Sequence, residues 1–220
     1  MLPHYSVEEE RANIISHGLG AFLSLIGLAW LLHEADALGE RVCWWSALVY
    51  GGSLTVVYVA STLYHASTDR TLRQRLMLLD HAAIFICIAG TYTPFVLLAL
   101  PEPQGVRCCV AIWLAAFVGI AFKTTAYRLR KIDEWDGIAV VLYIAMAAVP
   151  IVFARPAAVI FSSDAGQLML LGGALYLAGV LFYVNHRWPY NHAVWHVFVL
   201  LGSAVHYYAV LTEVLPLATA

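Results

Sequence analysis

Two histidines lie four residues apart in the segment NHAVWH, at His192 and His196. Positions i and i+4 of an α-helix share one face and lie about 6 Å apart along its axis, so both imidazoles can point at one object. A third histidine, His65, lies at the end of another apolar run, and Ser61 precedes it by one helical turn. Three imidazoles from two helices are the catalytic zinc pattern in which a fourth position stays open for water.

A carboxylate accompanies these histidines, because Asp80 opens another apolar run. An ionisable residue near a membrane boundary needs a partner and is a functional candidate by default, and a carboxylate can act on water as a general base. Each residue also has a structural explanation. Histidine and serine in apolar helices often form hydrogen bonds between helices, and many HxxxH pairs bind no metal. For Ser61 the alternatives are helix packing or support of the metal site.

The composition predicts an integral membrane protein. Hydrophobic residues make up 62% of the 220 residues and charged residues 12%, and several apolar stretches reach the length of about 20 residues that crosses a bilayer. A net charge of -2 without a basic block argues against nucleic-acid partners. The four cysteines lack CxxC spacing and lie in or beside apolar runs, which predicts small buried side chains rather than disulfides or a metal site. They are Cys43, Cys87, Cys108 and Cys109.

Seven apolar runs predict seven transmembrane helices. They cover approximately residues 14–32, 42–65, 76–99, 106–125, 137–154, 167–185 and 193–214. Because lipid cannot satisfy backbone polar groups and the runs lack the alternation of barrel strands, the predicted fold is an all-α, seven-transmembrane helix bundle. The predicted domains are an N-terminal cytoplasmic arm, residues 1–13, and a single transmembrane domain, residues 14–215. On the arm, Ser6 and Glu9 have capping-box spacing, which predicts a short helix there.

The distribution of Lys and Arg predicts the orientation. If the N-terminus is cytoplasmic and the C-terminus outside, nine of the twelve basic residues fall on the cytoplasmic side, as the positive-inside rule requires. The three exceptions are Arg41, Arg107 and Arg155. This topology places His65, at the inner end of the second span, level with Asp80 at the start of the third. His192 and His196, at the start of the seventh, lie at the same depth.

Three motifs in order carry a resemblance to a known family. SxxxH at Ser61–His65, LDHAAIFICIAGTYTP at 79–94 and HxxxH at His192–His196 resemble the haemolysin III branch of the progestin and adiponectin receptor superfamily, over nearly the whole chain. The resemblance implies that His65, His192 and His196 bind zinc and that Asp80 holds the zinc-bound water. It also implies that Ser61 belongs to the same site, as in the wider hydrolase superfamily that includes alkaline ceramidases.

The expected function is therefore a zinc-dependent membrane hydrolase that attacks a lipid amide or ester with water. Membrane lipids are the expected partners, with a substrate chain among the helices, and the expected location is the cell membrane. One alternative is a receptor-like or pore-forming membrane protein with a structural zinc, although such sites usually have four protein ligands. Another is a haem protein with paired histidines, for which i, i+4 spacing on one helix is unsuited.

The other polar residues support weaker predictions. His17, in the segment SHGLG, either joins the surroundings of the site or lies in the interface beside a glycine-assisted helix contact. His81 points about 100° away from Asp80 and should face a neighbouring helix. His206 is predicted to form a hydrogen bond between helices. A solvated loop is predicted for the acidic residues beside Lys131, which are Asp133, Glu134 and Asp136.

Overall fold

Seven helices form the fold in a computed structural model that describes residues 5–153, 163–185 and 187–219, and all regular structure in these ranges is helical. The helices are α1 (Val7–Leu38), α2 (Arg41–Ala66), α3 (Arg70–Ala99), α4 (Gln104–Arg128), α5 (Ile132–Phe153), α6 (Asp164–Tyr183) and α7 (Asn191–Ala209). A π turn (Val210–Val214) and a 3₁₀ turn (Leu215–Thr219) extend α7. Among the residues that the structure describes, six helical segments are long and apolar enough to cross a membrane, namely α1 to α4, α6 and α7 with its extension. The predicted all-α membrane bundle is confirmed.

The first helix begins before the first apolar run. The Glu9 N–H donates to Ser6 Oγ at 3.1 Å, and the Ser6 N–H donates to Glu9 Oε2 at 2.8 Å. These bonds confirm the predicted capping box. The helix that they open is not a separate short helix, because it continues without a break to Leu38 and ends at Gly39, whose φ is 74°. The acidic first turn of α1 is therefore rigidly joined to a membrane span.

Three helices meet closely around Gly20 of α1. A methyl group at this position would lie 2.6 Å from the ring of Tyr58 on α2 and 2.9 Å from the side chain of Leu200 on α7. Both distances are shorter than a van der Waals contact, so only glycine allows this approach. The predicted glycine-assisted contact is present, and it lies one turn beyond His17. It brings the helices that carry the candidate metal ligands against α1.

The outward faces of the helices are apolar, as expected for surfaces in contact with lipid. Phe22, Val118 and Leu181 expose more than 60% of their surface. The four cysteines are free thiols, each buried or partly buried, as predicted. The direction in which the bundle crosses the membrane stays a prediction, and Arg155, which was counted for it, lies outside the described residues.

Candidate metal centre

His65, His192 and His196 come together at one end of the bundle. His65 lies in the last turn of α2, and the other two lie in the first two turns of α7. Their candidate ligand atoms all lie within 4.8 Å of one another. The ring centroids are 4.5 Å apart for His192 and His196, and 5.0 Å and 5.2 Å from His65 to these two. The predicted convergence is confirmed, while binding of a metal stays a prediction. We call these three residues the histidine cluster.

The chemistry of the histidine cluster fits a metal ion. His65 and His196 are only 3% and 1% exposed. Among the described residues, no group forms a hydrogen bond with the buried Nε2 of His65. A buried polar atom without a partner costs about 1–3 kcal/mol, which a metal bond at this nitrogen would offset. Nitrogen ligands of a tetrahedral zinc lie about 3.3 Å apart, as follows from Zn–N bonds of about 2.0–2.1 Å. Side-chain shifts of about 1 Å would therefore complete the site.

Glu10 of α1 binds the other ring nitrogen of His65. Its Oε2 accepts a hydrogen bond from His65 Nδ1 at 2.7 Å, and its Oε1 forms an ion pair with Arg73 of α3. Asn13 Nδ2 also approaches His65 Nδ1, at the longer distance of 3.4 Å. With Nδ1 engaged by the carboxylate, Nε2 is the nitrogen of His65 that remains for a metal.

Ser16 and His17 of α1 contact His196. Ser16 Oγ lies 2.9 Å from His196 Nδ1 and 3.0 Å from the carbonyl oxygen of Asn13. The His17 ring stacks on the His196 ring with centroids 3.4 Å apart, and His17 is only 4% exposed. His17 therefore lies beside the histidine cluster, which was one of the two expectations for it. It is not part of the group of ligand atoms within 4.8 Å.

The start of α7 is attached to the N-terminal segment. The ring of Tyr5 lies 5.2 Å from that of His192 and 6.0 Å from that of His65. Burial raises the pKa of the Tyr5 phenol, so this ring meets the imidazoles in its neutral form. Tyr190 precedes α7 with a φ of 54°, a left-handed conformation that is uncommon for a bulky residue. Its N–H donates to Glu9 Oε1 at 3.0 Å.

Asp80 and Ser61 lie together near the histidine cluster. Ser61 is on α2, one turn before His65, and is 1% exposed, whereas Asp80 is on α3 and is 8% exposed. The Ser61 side chain lies close to the Asp80 carboxyl group. Asp80 does not belong to the described group of ligand atoms within 4.8 Å, so it is not placed as a ligand. Its catalytic role, and that of Ser61, stay predictions.

The prediction for Asp136 was wrong. This residue was expected in a solvated loop, but it lies in α5, and its carboxylate accepts hydrogen bonds from Lys123 Nζ at 2.7 Å and from the Tyr183 hydroxyl at 2.6 Å. Lys123, on α4, is 1% exposed and needs this counter-charge. His81 faces α5, as predicted, with Nδ1 3.9 Å from Asp136 Oδ1. We call Lys123, Asp136 and Tyr183 the Lys123 network.

Two further predictions, for the acidic residues beside Lys131 and for His206, can be compared with the structure. Glu134 and Lys131 form an exposed ion pair at 3.7 Å, consistent with a solvated position, and the side chain of Asp133 lies outside the described residues. His206 Nε2 donates to the carbonyl oxygen of Met169 at 3.0 Å. This bond connects α7 to α6, as predicted.

Of the α1 residues that contact the histidines, His17 was a candidate from the sequence, whereas Glu10, Asn13 and Ser16 were not. Glu10, Asn13 and His17 are spaced three and four residues apart, so they share one face of the helix. A polar stripe on one face of an otherwise apolar membrane helix indicates contact with other polar groups in the bundle. This spacing is the signal that could have identified Glu10.

The similarity of this chain to known proteins covers nearly its whole length. A family model described as haemolysin-III related matches residues 5–207. Hemolysin-3 from Bacillus cereus is 38% identical over 213 residues, which cover 97% of this chain and 95% of that protein. The Hemolysin-3 homolog from Bacillus subtilis (strain 168) is 35% identical over 207 residues, with coverage of 94% and 95%. Human monocyte to macrophage differentiation factor is 29% identical over 211 residues, with coverage of 92% and 83%. These similarities include the helices that carry the histidine cluster.

Proposed function

This chain belongs to the haemolysin III-related family, and on that basis we propose that it is a zinc-dependent membrane hydrolase that cleaves a lipid amide or ester. It is a multi-pass membrane protein. The observation that carries the proposal is the histidine cluster, whose ligand atoms lie within 4.8 Å of one another. Among the described residues, no fourth His, Cys, Asp or Glu joins this group. Structural zinc sites usually have four protein ligands, whereas catalytic sites have three.

The proposed chemistry divides between the histidines and the Asp80–Ser61 pair. A zinc ion held by the histidine cluster would supply a Lewis acid that polarises a carbonyl group and activates water near neutral pH. Asp80 would accept the proton of the attacking water as a general base. The Ser61 hydroxyl, which lies close to the Asp80 carboxyl group, would orient it.

A cavity beside His65 supports a lipid as the substrate. It has a volume of about 460 Å³ and lies between the start of α1, the end of α2 and the start of α3. Its lining combines apolar side chains, Val7 and Ile14, with the charged side chains of Glu10, Arg11 and Arg73. An amphipathic cavity of this kind suits a molecule with an acyl chain and a polar headgroup.

The test is release of fatty acid from ceramides and other acylated lipids by purified protein, with and without a chelator. We expect chelator-sensitive release by the wild type. Asp80→Asn should keep its zinc and lose about 10²–10⁴-fold in turnover, the usual contribution of a general base. Asp36→Asn is the matched control, because Asp36 is exposed near the opposite end of α1.

Two results would contradict the proposal in different ways. Absence of release from every lipid by folded, zinc-loaded protein would contradict hydrolysis. It would favour a receptor-like or pore-forming protein with structural zinc, an alternative that the names of the two Bacillus relatives suggest, and dye leakage from liposomes would test pore formation. Equal release by the wild type and Asp80→Asn would keep the hydrolase and remove Asp80 from its mechanism.

A further inference from the structure

The first three turns of α1 and the preceding Tyr5 contact all three members of the histidine cluster. Glu10 contacts His65, Ser16 contacts His196, and Tyr5 lies against His192. We propose that α1 is the positioning element of the metal site. In this proposal, Glu10 and Ser16 hold the ring protons of His65 and His196 on Nδ1, so that each histidine presents the lone pair of Nε2 to the metal. The inference rests on the metal site of the proposed function.

The direction of the Glu10 bond follows from its two partners. An ionised carboxylate can only accept hydrogen bonds, and a guanidinium can only donate them. Glu10 uses Oε1 for Arg73 and Oε2 for His65 Nδ1, at 2.7 Å. The Asn13 amide nitrogen, which can only donate, is farther from Nδ1, at 3.4 Å, so the shorter carboxylate contact places the proton on Nδ1. Arg73 is itself held in place, with its guanidinium 5.0 Å from the centre of the Tyr64 ring. A neutral imidazole protonated on Nδ1 has its lone pair on Nε2, the buried nitrogen without a described partner.

Ser16 has one hydroxyl proton and two neighbours within hydrogen-bonding distance. Its Oγ lies 3.0 Å from the carbonyl oxygen of Asn13, which can only accept, and 2.9 Å from His196 Nδ1. In the proposed arrangement the hydroxyl proton goes to the carbonyl oxygen, and Ser16 accepts the Nδ1 proton of His196. Two histidines from different helices then receive the same tautomer from one helix.

The same helix also holds the start of α7. Glu9 accepts the backbone N–H of Tyr190 at 3.0 Å, immediately before the helix that carries His192 and His196. Because Glu9 and Glu10 are adjacent on a continuous helix, they couple the position of α7 to that of His65 on α2. Groups that bind the non-ligating nitrogen of a metal-binding histidine fix its orientation and tautomer, and their loss typically weakens metal binding 10–100-fold.

The test compares zinc affinity of full-length Glu10→Gln and Glu8→Gln by chelator competition. In Glu10→Gln, Arg73 should hold the amide oxygen and turn the amide NH₂ toward His65, which must then accept on Nδ1 and carry its proton on Nε2. We expect about 10–100-fold weaker zinc binding. Glu8→Gln removes the same charge from an exposed position in the same turn and should bind zinc as the wild type does. Thermal unfolding should show that both metal-free variants are folded at the temperature of the zinc measurement, because Glu10→Gln also removes the counter-ion of Arg73.

A second variant separates tautomer control from a merely structural role. Glu10→Gln/Arg73→Met frees the amide to turn its oxygen toward His65, so zinc affinity should rise above that of Glu10→Gln. Ser16→Ala should weaken zinc binding, and Ser16→Thr should restore it. Equal zinc affinity in Glu10→Gln and Glu8→Gln would overturn the inference and leave the proposed function standing. Zinc binding that depends on Glu10 in a protein without hydrolysis would support the inference and contradict the function.

Discussion

The histidine cluster and the Lys123 network lie close together, and both are largely buried. They differ in whether their buried polar atoms have hydrogen-bonding partners. In the Lys123 network, the buried ammonium group and its counter-ion are paired at 2.7 Å, and Tyr183 binds the second carboxylate oxygen at 2.6 Å. In the histidine cluster, three imidazoles approach within 4.8 Å without a described proton donor or acceptor for His65 Nε2.

This difference separates polar groups that hold the bundle together from polar groups that can bind a ligand. Pairing of Lys123 and Asp136 satisfies two charges that would otherwise be costly in the bundle. The histidine cluster leaves a nitrogen unsatisfied at a cost that an ordinary structural contact would not require. Tyr183 joins the two regions, because its hydroxyl binds Asp136 while its ring lies 5.9 Å from that of His192.

The largest effect should come from removing two members of the histidine cluster. The double variant His192→Ala/His196→Ala should lower the zinc content of purified protein from about one ion per chain to nearly none, because one imidazole alone does not make a zinc site. Elemental analysis measures this directly. Undiminished zinc in the double variant would show that the histidine cluster is not the metal site, and the contrast with the Lys123 network would no longer hold.

A large effect on stability, without loss of zinc, should follow from breaking the Lys123 network. Asp136→Asn leaves the buried ammonium of Lys123 without its counter-ion, which should cost about 3–5 kcal/mol of unfolding free energy. The matched control is Lys123→Met/Asp136→Leu, which removes both charges and should regain most of that stability. Unfolding in detergent measures both variants. Wild-type stability in Asp136→Asn would show that the ion pair does not hold the bundle together.

The smallest effect should come from His206, which is far along α7 from the cluster and already has a partner. His206→Leu removes the bond to the carbonyl oxygen of Met169 and should lower the unfolding free energy by about 1 kcal/mol. Zinc content should not change. If this substitution released zinc, the metal would depend on histidines beyond the three in the cluster.

The sequence predicted the proximity of the three histidines better than it predicted their surroundings. The spacing of His192 and His196 is local and follows from helical geometry, and the depth of His65 follows from the order of the spans. The partnership of Glu10 with His65 depends instead on how α1 packs along α2, which no local pattern contains. Glu10 was assigned to a cytoplasmic arm because the first apolar run begins after it.

Asp136 is a second residue whose partner could not be predicted from the local sequence. Its neighbours Asp133 and Glu134 are acidic, a composition typical of a solvated loop. The structure pairs it with Lys123, which is thirteen residues earlier and on another helix. Whether such a lysine points inward depends on the rotation of α4 in the bundle, and the apolar pattern of a membrane helix specifies that rotation weakly.

The bond between Glu9 and Tyr190 has a consequence for the biogenesis of the protein. It joins residues 181 positions apart, and the contact between Ser16 and His196 spans 180. A chain inserted from its N-terminus therefore carries Glu10, Ser16 and His65 long before His192 and His196 are synthesised. The histidine cluster cannot be assembled until the last helix packs against the first. Under the proposed function, zinc loading would then be a late event that reports the packing of the last helix.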